Sequence, residues 1–410
     1  MKKSKLVYIT DRFPFGSGEA TFIKPELEIM KKYFDIIIIS KNSKDDRTSE
    51  TDASIPVFRF SQDFTLCEFI KYIIKSLSLP FFYNEVKLSC QKGNNILKSI
   101  RFVLPTTMRV IKFCDYLKQI DFGDKDDNII FYSYWFNYAV ASLVLLKSKY
   151  KEAKIITRVH GYDLYDERSI LGYQQFHDFT LPYISKIIAT CRASMNYFSS
   201  KHPWFNMFLI SPLGSSYGCL LPYKDDGVFT LISCSNLIPL KRVELIIDAI
   251  SLITQYKIRW VHFGDGFLKF DIERLAKERL GSMDNISYSF QGQKSSKDIF
   301  DFYRKESIDC FITLSKTETL PVSIIEAMAF SMPIIATNVG GISELIDGNG
   351  ILLDEDVTAE QAAKAICEVI NASDTELNKM REKSFHMWSD RYNICSNSEK
   401  LAKLFCDNLL

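Results

Sequence analysis

The ten cysteines of this chain include no C-x-x-C pair. Without a signal peptide at its start, the sequence reads as cytoplasmic, with reduced and mostly buried thiols. No run reaches the ~18 uncharged apolar residues that a transmembrane helix needs. The five histidines (His160, His177, His202, His262 and His386) are too scattered for a structural zinc site. A complete G-x-G-x-x-G is also missing after the first strand, because Gly16-Ser17-Gly18 is followed by Glu19-Ala20-Thr21. That gap weighs against a nicotinamide-dependent oxidoreductase. There is no solenoid repeat and no low-complexity tract. The net charge of +1 gives no reason to expect a nucleic-acid partner.

What is present fits two domains. The 410 residues, 47% hydrophobic and 25% charged, suffice for two globular units of about 200 residues each. Residues 1–220 hold 30 Lys+Arg against 22 Asp+Glu, whereas the remainder hold 21 against 28. A basic half and an acidic half suit different partners. Lys5–Thr10 reads as a strand, Asp11–Glu19 as a glycine-containing loop and Ala20–Lys32 as a helix. Asp35–Ser40 has the unbroken apolar centre of a parallel strand covered on both faces. Residues 42–53 are a polar loop, and Ile55–Phe60 is a further strand. Residues 64–120 form a long helical insertion with nine Lys/Arg against three Asp/Glu. Such a basic amphipathic segment suits helices packed on the core with a solvated basic face, or contact with an anionic membrane surface.

Strands follow at Asn128–Ser133, Lys154–Val159, Lys186–Thr190 and Met207–Ser211, with helices over Asn137–Lys147 and Ala193–Ser200. His160-Gly161-Tyr162-Asp163 comes directly after the Lys154–Val159 strand, on the rim where open α/β sheets bind ligands. His160 could donate to a sugar hydroxyl and Asp163 could orient an acceptor, or both are ordinary loop residues. Asp225-Asp226-Gly227 turns the chain into its second half. Strands there are expected at Phe229–Cys234, Ile258–Phe263, Ile286–Phe290 and Gly350–Leu353. Helices are expected at Val243–Leu252, Ala359–Asn371, Thr375–Met387 and Ser396–Asn408. Gly264-Asp265-Gly266 is expected to face the rim.

The densest signal lies between Thr313 and Ile346. An apolar strand over Ile308–Leu314 runs into the polar turn Ser315-Lys316-Thr317-Glu318. Pro321 is expected as the first residue of a helix to Phe330, where its missing N–H costs nothing. Pro333–Thr337 is a second buried strand, ended by Gly340-Gly341 in a turn that needs positive φ. In this strand–loop–helix–strand unit Glu318 occupies the loop, and Glu326 sits eight residues on, in the helix's second turn. The first-turn N–H groups near Leu320, Val322 and Ser323 attract an anion. A carboxylate one turn deeper can accept both hydroxyls of a ribose diol. On spacing alone, Glu318 reads equally well as a cap and Glu326 as a solvated residue.

These residues carry a resemblance. Glu318, Pro321, Glu326-Ala327-Met328-Ala329, Pro333–Thr337, Gly340-Gly341 and Glu344 are similar to the E-x7-E region of GT4-type retaining glycosyltransferases. Thr319-Leu320 stands where those enzymes have Gly-Phe. Arg158–Tyr165 resembles the R-x-H-G-x-D-x-Y string of members that build bacterial exopolysaccharide, capsule and O-antigen. The resemblance implies the GT-B fold, two Rossmann-like parallel-sheet domains facing across a cleft. An acceptor-side domain over 1–215 and a donor domain over 225–390 are expected, with a final helix (391–410) crossing back to the first domain. It implies transfer of a sugar from a nucleotide-diphosphate sugar to a hydroxyl of a glycan or lipid-linked glycan in cell-surface polysaccharide synthesis. No metal or cofactor is required, and the two Asp-x-Asp strings, Asp124–Asp126 and Asp354–Asp356, are read as solvated turns away from these motifs.

By the same resemblance Glu318 and His160 serve the reaction, and Gly16 and Gly18 let the backbone approach the donor. The Thr319, Leu320, Pro321, Val322 and Ser323 stretch and Lys241 hold phosphates. Glu326 binds ribose, and Asp163 is a candidate on the acceptor side. Asn236 stands where the family has arginine, which removes a fixed cationic fork, and Arg242 is a partial replacement. The 64–120 insertion is the place for membrane contact, at the inner face of the plasma membrane. A catalytically inactive nucleotide-sugar-binding subunit is the rival reading, supported by Asn236 and opposed by Glu318 and Glu326.

Overall fold

The computed structural model describes residues 3–16, 18–42, 44–123, 128–220 and 227–409. Ser17, Asp124, Asp126, Asp225 and Asp226 lie outside the described residues. The chain divides into two compact units, one of Met1–Ser211 with Ser398–Leu410, the other of Pro212–Asn397.

The first unit is built on seven parallel strands: β1 (Lys5–Thr10), β2 (Asp35–Ser40), β3 (Val57–Arg59), β4 (Ile129–Ser133), β5 (Lys154–Val159), β6 (Lys186–Ala189) and β7 (Phe208–Ile210). Their order across the sheet is β3-β2-β1-β4-β5-β6-β7. Alternation along β1 explains why its whole run is apolar. Val7 and Ile9 join one core with Phe131 and Ile155, while Leu6 and Tyr8 join another with Ile36, Ile130 and Tyr132. Both faces are covered, so no position can be polar by default. The second of these cores is completed by Leu401, Ala402 and Phe405, near the chain's far end. Helices α1 (Ala20–Met30), α2 (Leu66–Leu77), α3 (Pro80–Gln91), α4 (Ile96–Leu117), α5 (Tyr138–Leu146) and the single turn α6 (Gly161–Leu164) complete the part of this unit used below.

The second unit holds six parallel strands in the order β10-β9-β8-β11-β12-β13. They are β8 (Phe229–Cys234), β9 (Ile258–Phe263), β10 (Ile286–Phe290), β11 (Cys310–Thr313), β12 (Ile334–Thr337) and β13 (Gly350–Leu353). In a parallel sheet every strand delivers its following loop to the same edge, and the loops after β8, β9, β11 and β12 form one rim.

Three details depart from the sequence reading. Pro321 is the N-cap, extended at φ −72° and ψ 117°, and the helix runs Val322–Ala329. The residue before a helix can be extended proline because its N–H would have no partner there anyway. Two helices, Lys269–Leu280 and Ser296–Lys305, were not anticipated. They bury only thin seams, Ile272, Ala276 and Leu280 in one, Ile299 and Tyr303 in the other, among many charges. Finally, the Asp354–Asp356 turn is not remote from the motifs. Glu355 and Asp356 bear electrostatically on Arg242, because β13 ends on the same rim as β11.

Candidate active site

On the second unit's rim, the loop after β11 is held from both flanks by contacts that its sequence alone does not reveal. Arg242 has left-handed backbone, φ 46°, at the start of the Val243–Ser251 helix. Its Nε donates to the Leu314 carbonyl at 2.6 Å and its Nη2 to that of Ser315 at 3.3 Å. Lys316 N donates to the Leu240 carbonyl at 2.8 Å, so the β8 and β11 loops are stitched side by side. From the other flank, Gly340 allows the closest approach. A Cβ there would lie 1.8 Å from the Glu318 carbonyl oxygen, and φ is +56°. Gly341 N, one residue on, donates to the Thr319 carbonyl at 2.7 Å, with an ordinary φ of its own.

This seating joins Glu318 to Lys241, whose Nζ donates to Glu318 Oε1 in an ion pair that is only 22% and 12% exposed. The loop then delivers the chain into the Val322–Ala329 helix, whose N-cap Pro321 makes no side-chain cap hydrogen bond. Its first N–H groups, from Val322 onward, form the positive end of the helix dipole.

Glu326, one turn further in, is buried. Burial among apolar neighbours raises its carboxyl to about 7, partly offset by a hydrogen bond with Ser296 on a neighbouring helix. The Cys234 thiol at the end of β8, pushed up to about 12 by burial, feels the Glu326 carboxylate and, with opposite sign, the Lys241 ammonium. These three groups therefore share one neighbourhood. Asn236, next on that loop, is exposed, and its carbonyl accepts from Ile238 N at 3.0 Å. Gly264 and Gly266 face the same loop. A Cβ on either would strike the Ser235 or Leu237 carbonyl, at 1.9 and 2.4 Å.

On the first unit's rim, Glu19 organises the β1–α1 loop. Its carboxylate accepts from the main-chain N–H groups of Asp11 (3.2 Å), Arg12 (2.6 Å) and Phe13 (2.7 Å), and from Trp135 Nε1. The nest that follows β1 is thus filled by the chain's own anion. Gly16 and Gly18 both have positive φ, and a Cβ on Gly18 would meet only open space. Lys41, at the end of β2, is buried with its ammonium on Asp11 (2.6 Å) and Asn137 Oδ1 (2.7 Å).

His160 caps α6 from the end of β5. Its Nε2 lies 3.0 Å from the Tyr134 carbonyl. A carbonyl only accepts, so Nε2 carries the proton and Nδ1 of the neutral ring is an acceptor. The hydrogen bond expected to reach a sugar is therefore engaged with main chain. Desolvation, then the Arg158 charge, pull the imidazole down to about 3, and it is neutral at any physiological pH. Asp163 is a clamp rather than an open carboxylate: its oxygens accept Phe136 N at 2.7 Å and His160 N at 2.6 Å, and burial lifts it to about 7. Behind the rim, Arg158 pairs with Glu26 at 2.7 Å in full burial, with Tyr132 and Tyr8 bonded to the pair. Asp11, Trp135, Asn137 and Tyr162 line a cavity of about 890 Å³ here.

Lys241, Glu318 and Glu326 are thus gathered at one strand edge, while His160, Asp163, Gly16 and Gly18 lie on the other unit's rim. Sequence reasoning passed over Glu19, Asp11, Lys41, Asn137 and Ser296. A glutamate directly after a glycine loop is the one signal that could have marked Glu19. The others depend on contacts between residues far apart in the chain.

Residues 223–387 match the family described as glycosyl transferases group 1. An uncharacterized glycosyltransferase of Methanocaldococcus jannaschii is 29% identical over 230 residues, 55% of this chain and 61% of that one. The O-antigen biosynthesis glycosyltransferase WbnH of Escherichia coli is 34% identical over 114 residues, 28% of this chain and 30% of its own. The chain spans less than two thirds of either relative's length. Among solved structures, Anabaena HepE in complex with UDP and glucose is similar with a TM-score of 0.66, at 16% identity and over 98% of this chain and 99% of that one. At that identity the likeness is one of fold.

Proposed function

We propose that this chain, whose residues 223–387 match the group 1 glycosyltransferases, moves a sugar from a nucleotide-diphosphate sugar to an acceptor hydroxyl with retention at the anomeric carbon. The acceptor is a glycan or lipid-linked glycan in cell-surface polysaccharide synthesis, and the reaction is cytoplasmic. The observation that carries the reading is the Lys241–Glu318 pair set at the start of a helix whose second turn holds buried Glu326.

In this reading Glu326 accepts both ribose hydroxyls, and the N–H groups from Val322 and Ser323 meet the diphosphate. The leaving diphosphate gains negative charge as the sugar–phosphate bond breaks, and Lys241 with the helix start stabilises it, without a metal cofactor. Glu318 holds Lys241 in position and orients the donor sugar. Arg242, bonded to two carbonyls, acts chiefly by fixing the loop. His160 offers Nδ1 as acceptor to a hydroxyl. The acceptor's proton passes to the leaving phosphate on the same face of the sugar, which gives retention without a covalent enzyme intermediate. Incubation of the protein with UDP-, GDP- and ADP-sugars and a panel of glycan acceptors tests this. Release of nucleoside diphosphate with a product of unchanged anomeric configuration is expected; inverted product would overturn the retaining mechanism, and no release with any donor would favour the inactive binding subunit.

A further inference from the structure

The helices of the 66–117 insertion carry their apolar surface in an unusual place. A surface helix normally turns its apolar stripe to the core. In α2 the stripe Leu66, Ile70, Ile74 and Leu77, spaced to fall on one face, is 77%, 53%, 64% and 45% exposed. The residues α2 buries are Tyr72 and Ser76. Phe69 beside the stripe is exposed as well, and the first turns of α4 present Ile96, Leu97 and Ile100 in the same way. This apolar surface is interleaved with cations. Lys71, Lys98 and Arg101 enter no ion pair among the described residues, whereas the acidic groups nearby are engaged: Glu68 with Lys112, Asp115 with Lys75, and Glu85 buried against Phe176 N.

We propose that this face is a docking surface for an anionic lipid bilayer. A helix of 12 residues is ~18 Å long, short of the ~30 Å hydrocarbon core, so α2 lies in the interface and does not span it. Among the described residues no helix is long and apolar enough to cross a membrane. A second copy of the chain would bring like charges together around the stripe, whereas anionic headgroups neutralise them. The docked face also leads to the first unit's rim. On α4, Phe102 and Thr106 line the cavity that Trp135 and Tyr162 share, within ~15 Å of Leu97 along the helix axis. An acceptor carried by the membrane would therefore meet the rim without leaving the lipid surface. The docking stands independently of the transferase reading, since lipid binding needs no donor.

Co-sedimentation of the full chain with vesicles of phosphatidylcholine, with and without phosphatidylglycerol, tests the proposal. Strong binding to the anionic vesicles alone, weakened by salt, is expected. Ile70→Glu/Ile74→Glu should reduce it by about tenfold or more with circular dichroism and thermal midpoint unchanged, because both positions are exposed. Leu97→Glu on a separate helix should weaken it too. Lys71→Glu/Arg101→Glu should remove the preference for anionic lipid. Absence of binding to anionic vesicles, equal binding by the Ile70/Ile74 variant, or a dimer that this variant disperses would each overturn the proposal.

Discussion

Glu326 is the residue whose environment departs furthest from what its sequence position suggests. On spacing alone it reads as easily as a solvated surface group; in the fold it is 7% exposed, with a carboxyl raised to about 7. Because that value is raised on folding, the native state holds the proton more tightly than the unfolded chain does. Stability therefore falls as pH rises from the ordinary carboxylate range through 7. Glu326→Gln is expected to stabilise the protein at pH 8 by on the order of 2 kcal/mol and by far less at pH 5, measured by denaturant unfolding. Nucleotide affinity should behave in the opposite sense. If the ionised carboxylate receives the ribose hydroxyls, wild-type binding tightens between pH 6 and pH 8, and Glu326→Gln loses that part of the pH dependence. Asp163 supports a different expectation. Its oxygens satisfy two main-chain N–H groups, so Asp163→Ala should cost about 2–4 kcal/mol by stranding buried donors. His160 illustrates the limit of reading residues singly: its place after a strand was visible in sequence, but the Tyr134 carbonyl that sets its tautomer was not.

At the scale of elements, the loop Leu314–Leu320 is shaped by its neighbours more than by its own sequence. Arg242 ties one side to the β8 loop, and Gly340 permits contact on the other. Gly340→Ala adds a methyl 1.8 Å from the Glu318 carbonyl at a left-handed residue. It should cost at least ~2 kcal/mol and, by displacing Glu318 from Lys241, lower kcat more than it raises KM. Arg242→Lys is not conservative here, because one ammonium cannot reproduce a guanidinium directed at two successive carbonyls. The strands were largely legible, since an apolar run covered on both faces has a pattern of its own in β1, β2 and β4. The Lys269–Leu280 and Ser296–Lys305 helices were not, because each buries one narrow seam beneath many charges. Position 321 was read as helical because proline is favoured in the first turn; its extended backbone instead makes it the cap.

For the whole molecule, the parallel-sheet class followed from alternating apolar runs and helices, and the E-x7-E spacing pointed to the strand edge where Lys241, Glu318 and Glu326 are gathered. A final helix returning to the first unit was expected from the resemblance; which of its residues fill that unit's core was not legible. Leu401, Ala402 and Phe405 enter the first unit's core from the opposite end of the chain. Deletion from Ser398 onward should therefore destabilise that unit by several kcal/mol, seen as early loss of its unfolding transition in calorimetry. The buried Glu26–Arg158 pair binds α1 to β5 across more than a hundred residues. Glu26→Gln, which leaves the guanidinium buried without its counter-charge, should cost about 3–5 kcal/mol. The central claim concerns one site, a nucleoside diphosphate held by the helix that begins at Val322. Isothermal titration of UDP, GDP, ADP and CMP into wild type and Glu326→Ala addresses it most directly. One diphosphate should bind wild type clearly and the variant at least ~30-fold more weakly, about 2 kcal/mol; equal affinity in the two proteins, or no binding of any nucleotide, would contradict it.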